Sequence, residues 1–219
     1  MTEKTRLEDE TAGKLILAGM DLFGQFGFKG TTTRMIAEAA QSNIGSIAYY
    51  FGNKQGLYLA IARHIARRLR AVFELEGMEV SHADVGNIDS DAARELISGL
   101  VRRMVRLFSQ EEEARRWLMM VMREQANPTD AYDILYQEAF LLGHVHLTTL
   151  IAVLMGRDPT ETRVILEAHT LVGQIVFFLV GRTPLLRRLD CGDRFPPELV
   201  DMAEEVVLAH VAALEKRAE

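Results

Sequence analysis

Residues Thr31–Leu59 read TTTRMIAEAAQSNIGSIAYYFGNKQGLYL, and the organisation of the chain can be worked out from this stretch. Thr32 stands just before a short helical run, where its hydroxyl can accept a hydrogen bond from a first-turn amide that has no partner inside the helix. Thr33 and Arg34 then fall in the first turn, at a helix start that can meet a phosphate. Ile36, Ala37 and Ala40 form the narrow apolar face of a two-turn helix that must pack on another element. Gln41, Ser42 and Asn43 supply turn and cap chemistry, and from Ile44 the apolar positions Ile47, Ala48 and Phe51 recur at helical spacing. The other face of this second helix shows Gly45, Ser46, Tyr49 and Tyr50. Two short helices joined by a tight turn, the second presenting small and hydrogen-bonding side chains, are what a DNA major groove requires of a reading element. Gly45 and Ser46 permit close approach to base edges, while the tyrosine hydroxyls and Lys54 can reach phosphates. Each threonine or tyrosine alone reads as an ordinary cap or surface aromatic. The order of cap, helix, turn, helix and second cap at Asn53 is what selects the helix-turn-helix.

GFKGTTTRMIAEAA at 27–40 and IAYYFGNKQGLYLAI at 47–61 resemble the N-terminal DNA-binding domain of TetR-family transcriptional regulators. By that register the resemblance implies phosphate contacts at Thr33, Arg34, Tyr49, Tyr50 and Lys54, with Asn43, Ile44, Gly45 and Ser46 nearest the bases. Ile44 is open to two readings, since its spacing to Ile47 and Phe51 suggests burial whereas the family register turns it toward DNA, where it can meet a thymine methyl; we take the DNA side. The sequence departs from the family pattern at three positions. Gln41 stands where a turn glycine is usual, Ser42 occupies an apolar slot, and Ala48 replaces a common tyrosine. Further on, REQANPTDAYDILY at 123–136, HVHLTTLIAVLMG at 144–156 and AHTLVGQIVFFLVGRTPLLRRL at 168–189 resemble the C-terminal domain of the CecR branch of that family. That branch implies control of transport or drug-sensitivity genes.

A net charge of −6 over 219 residues is unexpected for a protein that binds DNA until it is divided along the chain. Residues 1–70 carry 10 Lys and Arg against 6 Asp and Glu, a surplus of +4, whereas residues 71–219 carry 15 against 25, a balance of −10. A basic head on an acidic body orients the molecule on DNA by repelling the wrong end. The content of 48% hydrophobic residues and the five prolines fit an all-α globular chain. The single Cys191 excludes an intramolecular disulfide framework and suits a reducing cytoplasm. The polar N-terminus carries no signal-peptide pattern, and the apolar run Leu171–Gly181, interrupted by Gln174, reads as too short to span a bilayer.

The pattern predicts a solvated arm over Leu7–Glu10 and a helix over Thr11–Phe26, whose stripe of Leu15, Ile16, Ala18, Leu22, Phe23 and Phe26 covers the two short helices. Asn53 caps a long helix with Leu57, Ile61, Ile65, Leu69 and Val72 every four residues. Its arginines at 63, 67, 68 and 70 read as a solvated face. The polar segment 77–91 reads as a loop. Helices are predicted over Ala92–Ser109, Glu111–Ala126, Pro128–Met155, Pro159–Gly181 and Pro196–Arg217, with Asn127 and Asp158 as caps before two of the prolines. The expected architecture is thus a helix-turn-helix domain over 1–56 and a helical effector-binding and dimerisation domain over 57–219.

Soft and aromatic side chains crowd the body, and any one of them reads first as core. A subset lining a cavity for an apolar or aromatic effector is drawn from Met104, Phe108, Trp117, Met122, Tyr136 and Phe140, with His144, His169 and Gln174 as polar anchors. The helix near 159–181 is apolar almost all round and must be buried on more than one side. In the resembling family two late helices pair across a two-fold axis, which implies a homodimer through this helix and the one near 196–217 and a palindromic operator. No phosphate loop, GxSxG elbow, HExxH pair or Cys/His ligand set is present, so neither a catalytic site, a cofactor nor a metal is expected. The alternative is an all-α small-molecule-binding protein or enzyme without specific DNA binding.

Overall fold

The computed structural model describes residues 3–74 and 81–215, and all regular structure in them is helical. The chain forms two compact units, one comprising Met1–Arg68 with Arg115–Glu138 and the other Leu69–Ala114 with Ala139–Glu219. Residues 115–138, far along the sequence, thus belong with the N-terminal helices.

In the first unit, α1 (Glu3–Gly30) begins earlier than expected, so the backbone of the predicted arm at 7–10 is helical, while the side chains of 3–9 lie outside the described residues. Helical geometry breaks at Gly27, whose φ of 71° and ψ of 174° are accessible essentially to glycine alone. The predicted stop after Phe26 is therefore a real one. α2 (Thr33–Ala39), α3 (Ile44–Phe51) and the N-terminal part of α4 (Lys54–Phe73) complete the head. Leu15, Met20, Phe23, Ile36, Ile47, Leu57, Ile61 and Ile65 are among its buried large side chains. Val72, predicted to end the α4 stripe, is only half-buried, and Phe73 takes the buried position.

Two segments of the 115–138 stretch, α6 (Glu112–Ala126) from Arg115 onward and α7 (Asp130–Leu135), are tied into this head by polar contacts. The Arg123 guanidinium donates to the carbonyls of Gly24 and Gln25, both at 3.1 Å. Arg116 pairs with Asp21 at 3.2 Å. Glu124 is buried, yet its carboxylate is met: Tyr58 donates at 2.6 Å to one oxygen, and the Thr129 amide and hydroxyl donate at 3.1 and 2.8 Å to the other. Thr129, rather than the predicted Asn127, is the cap of α7, because its hydroxyl accepts from Ala131.

The second unit is a helical bundle built on α5 (Ser90–Gln110), which packs on α8 (Leu141–Met155), α9 (Thr162–Val180) and α11 (Pro197–Glu215). α5 starts at Ser90, because Asp89 accepts from the Ala92 amide at 2.8 Å. A short 3-10 turn, His82–Gly86, lies inside the predicted loop, of which residues 77–80 fall outside the described residues. One π turn, Tyr136–Phe140, joins α7 to α8. Before α9, Asp158 is not the cap; it accepts from Thr160 in a local turn, and the helix begins two residues beyond. A separate helix missed in the sequence, α10 (Arg182–Leu189), follows α9. By length and composition alone the helices Asp130–Met155 and Thr162–Val180 are each long and apolar enough to cross a membrane; the second extends well before the run 171–181 read from the sequence. The first is 61% buried within the protein, the pattern of a core helix, and the second only 33%.

The Tyr58 hydroxyl is held well above the ordinary tyrosine range, chiefly by burial and then by its hydrogen bond to Glu124 and the carboxylate charge. A folded-state pKa raised in this way contributes stability that is present below about pH 10, the unfolded value, and lost as pH rises beyond it. Tyr58→Phe removes the donor and leaves a buried carboxylate oxygen unmet, so denaturant unfolding at pH 7 should show a loss of about 1–3 kcal/mol. The variant should also lose part of the stability change above pH 10, and an unchanged alkaline profile would contradict the assignment.

Candidate nucleic-acid interface

The helix-turn-helix is assembled by caps. Thr32 accepts from the Met35 amide at 3.2 Å and starts α2; Asn43 accepts from Gly45 at 2.8 Å and starts α3; Asn53 accepts from Gly56 at 2.9 Å at the start of α4. All three caps were expected from the sequence. Thr31, which the sequence reading passes over, is fully buried, and its hydroxyl donates within reach of two carbonyls, Leu22 at 3.0 Å and Gly27 at 2.9 Å.

Gln41 adopts φ of 50°, the left-handed conformation that a turn glycine supplies without strain. The turn thus keeps its geometry despite the substitution, at a conformational cost. At the end of α3, Gly52 with φ of 77° serves as the cap residue. Gly56 has a different role: a Cβ there would lie 1.9 Å from the Phe51 carbonyl oxygen, so only glycine lets α4 approach the end of α3 this closely. An isolated glycine inside a helical pattern was the available sign.

Outward from this frame, α3 buries Ile47 and exposes Ile44 (53%) and Tyr49 (71%). Gly45 is exposed and Ser46 and Tyr50 are half-exposed, and the Tyr49 and Tyr50 rings meet edge to face at 4.8 Å. Ile44, whose spacing allowed burial, therefore sits on the outer surface. Ala48 is exposed too, leaving a small side chain where the resembling family has a tyrosine. Asn43 has its side-chain oxygen occupied by capping. Thr33 is half-exposed at the start of α2, and Arg34 is exposed and pairs with Glu38 at 2.9 Å. An exposed pair of this kind is weak enough to be exchanged for a phosphate.

Lys54 is turned differently from the expectation. Its ammonium donates to the carbonyls of Phe28 and Thr31, each at 2.9 Å, and lies 4.3 Å from the centre of the Phe28 ring. Two of its three donors are committed inside the head, which limits any phosphate contact to the third.

The effector candidates are dispersed. Met104 and Phe108 are buried on α5 in the second unit, and Trp117 is buried and Met122 half-buried on α6 in the first. Tyr136 is exposed and stacks on Tyr132 at 6.2 Å. Phe140 and His144 are half-buried, whereas His169 and Gln174 are exposed. His144 and His169 are brought together, with near-parallel rings 5.9 Å apart. Burial, and then the neighbouring His169, holds the His144 pKa below its usual value. Gln174 instead meets His210 at 3.2 Å. Among the described residues no group of three or more His, Cys, Asp or Glu is placed to hold a metal.

Residues 15–61 match the family model described as bacterial regulatory proteins, tetR family, and residues 93–214 match that of the C-terminal domain of the HTH-type transcriptional dual regulator CecR. Over 204 residues, 93% of this chain and 90% of the relative, it is 34% identical to the dual regulator CecR of Shigella flexneri. The chain belongs to the TetR family of transcriptional regulators. Its C-terminal half places it with the CecR-type members. Among solved structures, a putative transcriptional regulator from Pseudomonas aeruginosa PAO1 superposes with a TM-score of 0.67 at 15% identity, covering 100% of this chain and 94% of that one. AibR, solved with isovaleryl coenzyme A and operator DNA, gives 0.61 at 14% identity, covering 91% and 96%. As a TetR-family member the chain is a DNA-binding regulator and not an enzyme, and the residues matched by the tetR model, 15–61, take in α2 and α3.

Gln41→Gly should remove the left-handed strain and raise thermal stability by the equivalent of about 1 kcal/mol. Affinity for DNA should change by less than twofold, since the turn already holds the glycine geometry; a large gain or loss in binding would show that the Gln41 side chain itself touches DNA.

Proposed function

We propose that this regulator is a cytoplasmic homodimeric repressor that reads a palindromic operator through α3 and leaves it when a small apolar or aromatic effector binds the helical body. The observation that carries the reading is the outer face of α3, where Ile44, Gly45, Ser46 and Tyr49 stand on a doubly capped helix in the basic part of the chain. Ile44, Gly45, Ser46 and Asn43 are the base-facing set. Thr33, Arg34, Tyr49 and Tyr50 are the phosphate contacts, with Lys54 mainly holding the head together. Functionally the division falls near residue 56, with 1–56 reading DNA and 57–219 responding and dimerising, although the fold gathers residues 115–138 into the head.

Dimerisation is assigned to α9 and α11. α9 leaves Leu166, Phe177 (64%) and Val180 exposed, and α11 leaves Met202 and Val206 (69%) exposed, an apolar surface of the kind that a second copy covers. Gly173 lies on the same face of α9, and a Cβ there would meet no atom within 4 Å, so a facing helix has room to approach. For the effector we retain Phe140, His144 and His169 as the subset placed to meet a ligand, the imidazoles giving the polar anchor. The buried Met104, Phe108 and Trp117 form walls at most. AibR's isovaleryl coenzyme A supports a body able to take an apolar acyl group. Binding would favour a conformation in which α4 moves the two readers out of step with successive major grooves. Membership of the CecR branch directs attention to transport or drug-sensitivity genes as targets.

Recovery of genomic fragments bound by the purified protein, followed by footprinting, should give a protected inverted repeat. On that repeat Tyr50→Phe should weaken binding to specific and random DNA alike, whereas Ser46 and Asn43 substitutions should change sequence preference. Equal losses from all three on both kinds of DNA would sink the division of roles. Independently, Phe177→Glu combined with Val206→Glu should give a folded monomer in sedimentation equilibrium; a persistent dimer would move the interface elsewhere.

A further inference from the structure

The C-terminal end of α4 is held in an unusual way. The last carbonyls of any helix lack amide partners, and a glycine in left-handed conformation is the common remedy. α4 ends at Phe73 and is followed by Glu74, so no glycine is at hand. Side chains from two other helices do the work. Arg103 of α5 donates from Nε to the Val72 carbonyl at 3.1 Å and from Nη2 to the Glu74 carbonyl at 3.3 Å. His146 of α8, 2% exposed, has Nδ1 3.0 Å from the Phe73 carbonyl, which can only accept, so the ring donates from Nδ1. Three consecutive carbonyls are therefore occupied. The guanidinium also places a cation at the negative end of the helix dipole.

The Phe73 side chain is fixed as well. Its ring lies against Gly143, where an added Cβ would come within 2.8 Å of Cζ. All these residues belong to one compact unit, Leu69–Ala114 with Ala139–Glu219, whereas α4 continues without interruption back to Lys54 beside the end of α3. A helix end gripped by one neighbour can pivot about that contact. Gripped on successive carbonyls by two helices, it cannot turn without breaking one of them.

We propose that Arg103 and His146 are positioning residues that couple the body to DNA reading, by fixing the direction in which α4 leaves the bundle. The proposal rests on the dimeric-reader assignment above. When two readers bind one inverted repeat, the second contact is made at an effective concentration set by how closely the first fixes its position. Loosening the α4 end lowers that concentration and leaves the affinity of each single reader as it was. A cap that merely stabilised the helix would lower the melting temperature without changing this ratio.

The test uses the full chain, the strongest recovered inverted repeat and its isolated half-site. Arg103→Met and His146→Leu should each reduce the ratio of repeat to half-site affinity by about tenfold, with half-site affinity unchanged within twofold. His146→Asn, whose amide can replace the Nδ1 donor, should keep the wild-type ratio. In DNA-free protein, amides 66–73 should exchange at least several-fold faster in the first two variants, a readout that does not depend on any operator. Arg103 is half-exposed, so Arg103→Met is the variant expected to keep its fold and the deciding one. An unchanged ratio together with unchanged exchange in that variant overturns the proposal, as does a parallel fall in repeat and half-site affinity. Failure of the wild-type protein to bind either DNA would instead overturn the reader assignment, with the exchange result still judging the grip on α4.

Discussion

Where the Phe51 carbonyl oxygen lies, position 56 has no space for a side chain. This one steric constraint fixes how closely the end of α3 and the start of α4 approach, and the rest of the head is arranged around it. Gly52 allows the chain to leave α3, Asn53 caps the next helix at once, and Lys54 reaches back to close the end of α1. The reading surface is consequently not a free helix on a flexible turn. It is one face of a small polar and steric lock, and its outward side chains owe their direction to groups that point inward.

The helix-turn-helix was legible because its information is local. Caps at Thr32, Asn43 and Asn53 act within three residues, and a cap is recognisable from residue type and position alone. Gln41 shows where such reasoning stops. A glutamine by its type alone gives no sign of left-handed backbone, and the turn around it is closed by backbone hydrogen bonds from the Gln41 amide to the Glu38 carbonyl at 3.1 Å and from the Ser42 amide to the Ala37 carbonyl at 2.9 Å. Lys54 shows another limit: a basic residue near a DNA-reading helix is read naturally as a phosphate contact, while the carbonyls that occupy it come from residues more than twenty positions away.

The body was legible as helices and less so as a site. Proline and acidic residues marked the helix starts within a few positions, but the identity of the α7 cap turned on Thr129 also serving the buried Glu124. Which aromatic and thioether side chains are core and which are accessible depends on packing between distant helices, so composition singled out Met104 and Trp117 as readily as Phe140. The grouping of residues 115–138 with the head had no counterpart in hydrophobic period. It arises from Arg123, Arg116 and Glu124 meeting partners in α1 and α4.

The internal commitment of Lys54 has a consequence for ionic strength. The positive surplus of residues 1–70 counts this ammonium, which keeps its charge but has two of its three donors held by carbonyls inside the head and lies over an aromatic face. Each phosphate neutralised by a protein cation releases a counterion from the duplex, and the number released sets how steeply affinity falls with added salt. On the proposed division of contacts, a head that uses one of its cations as an internal fastener releases fewer, so the fall of affinity with salt would be shallower than the count of basic residues in the head implies.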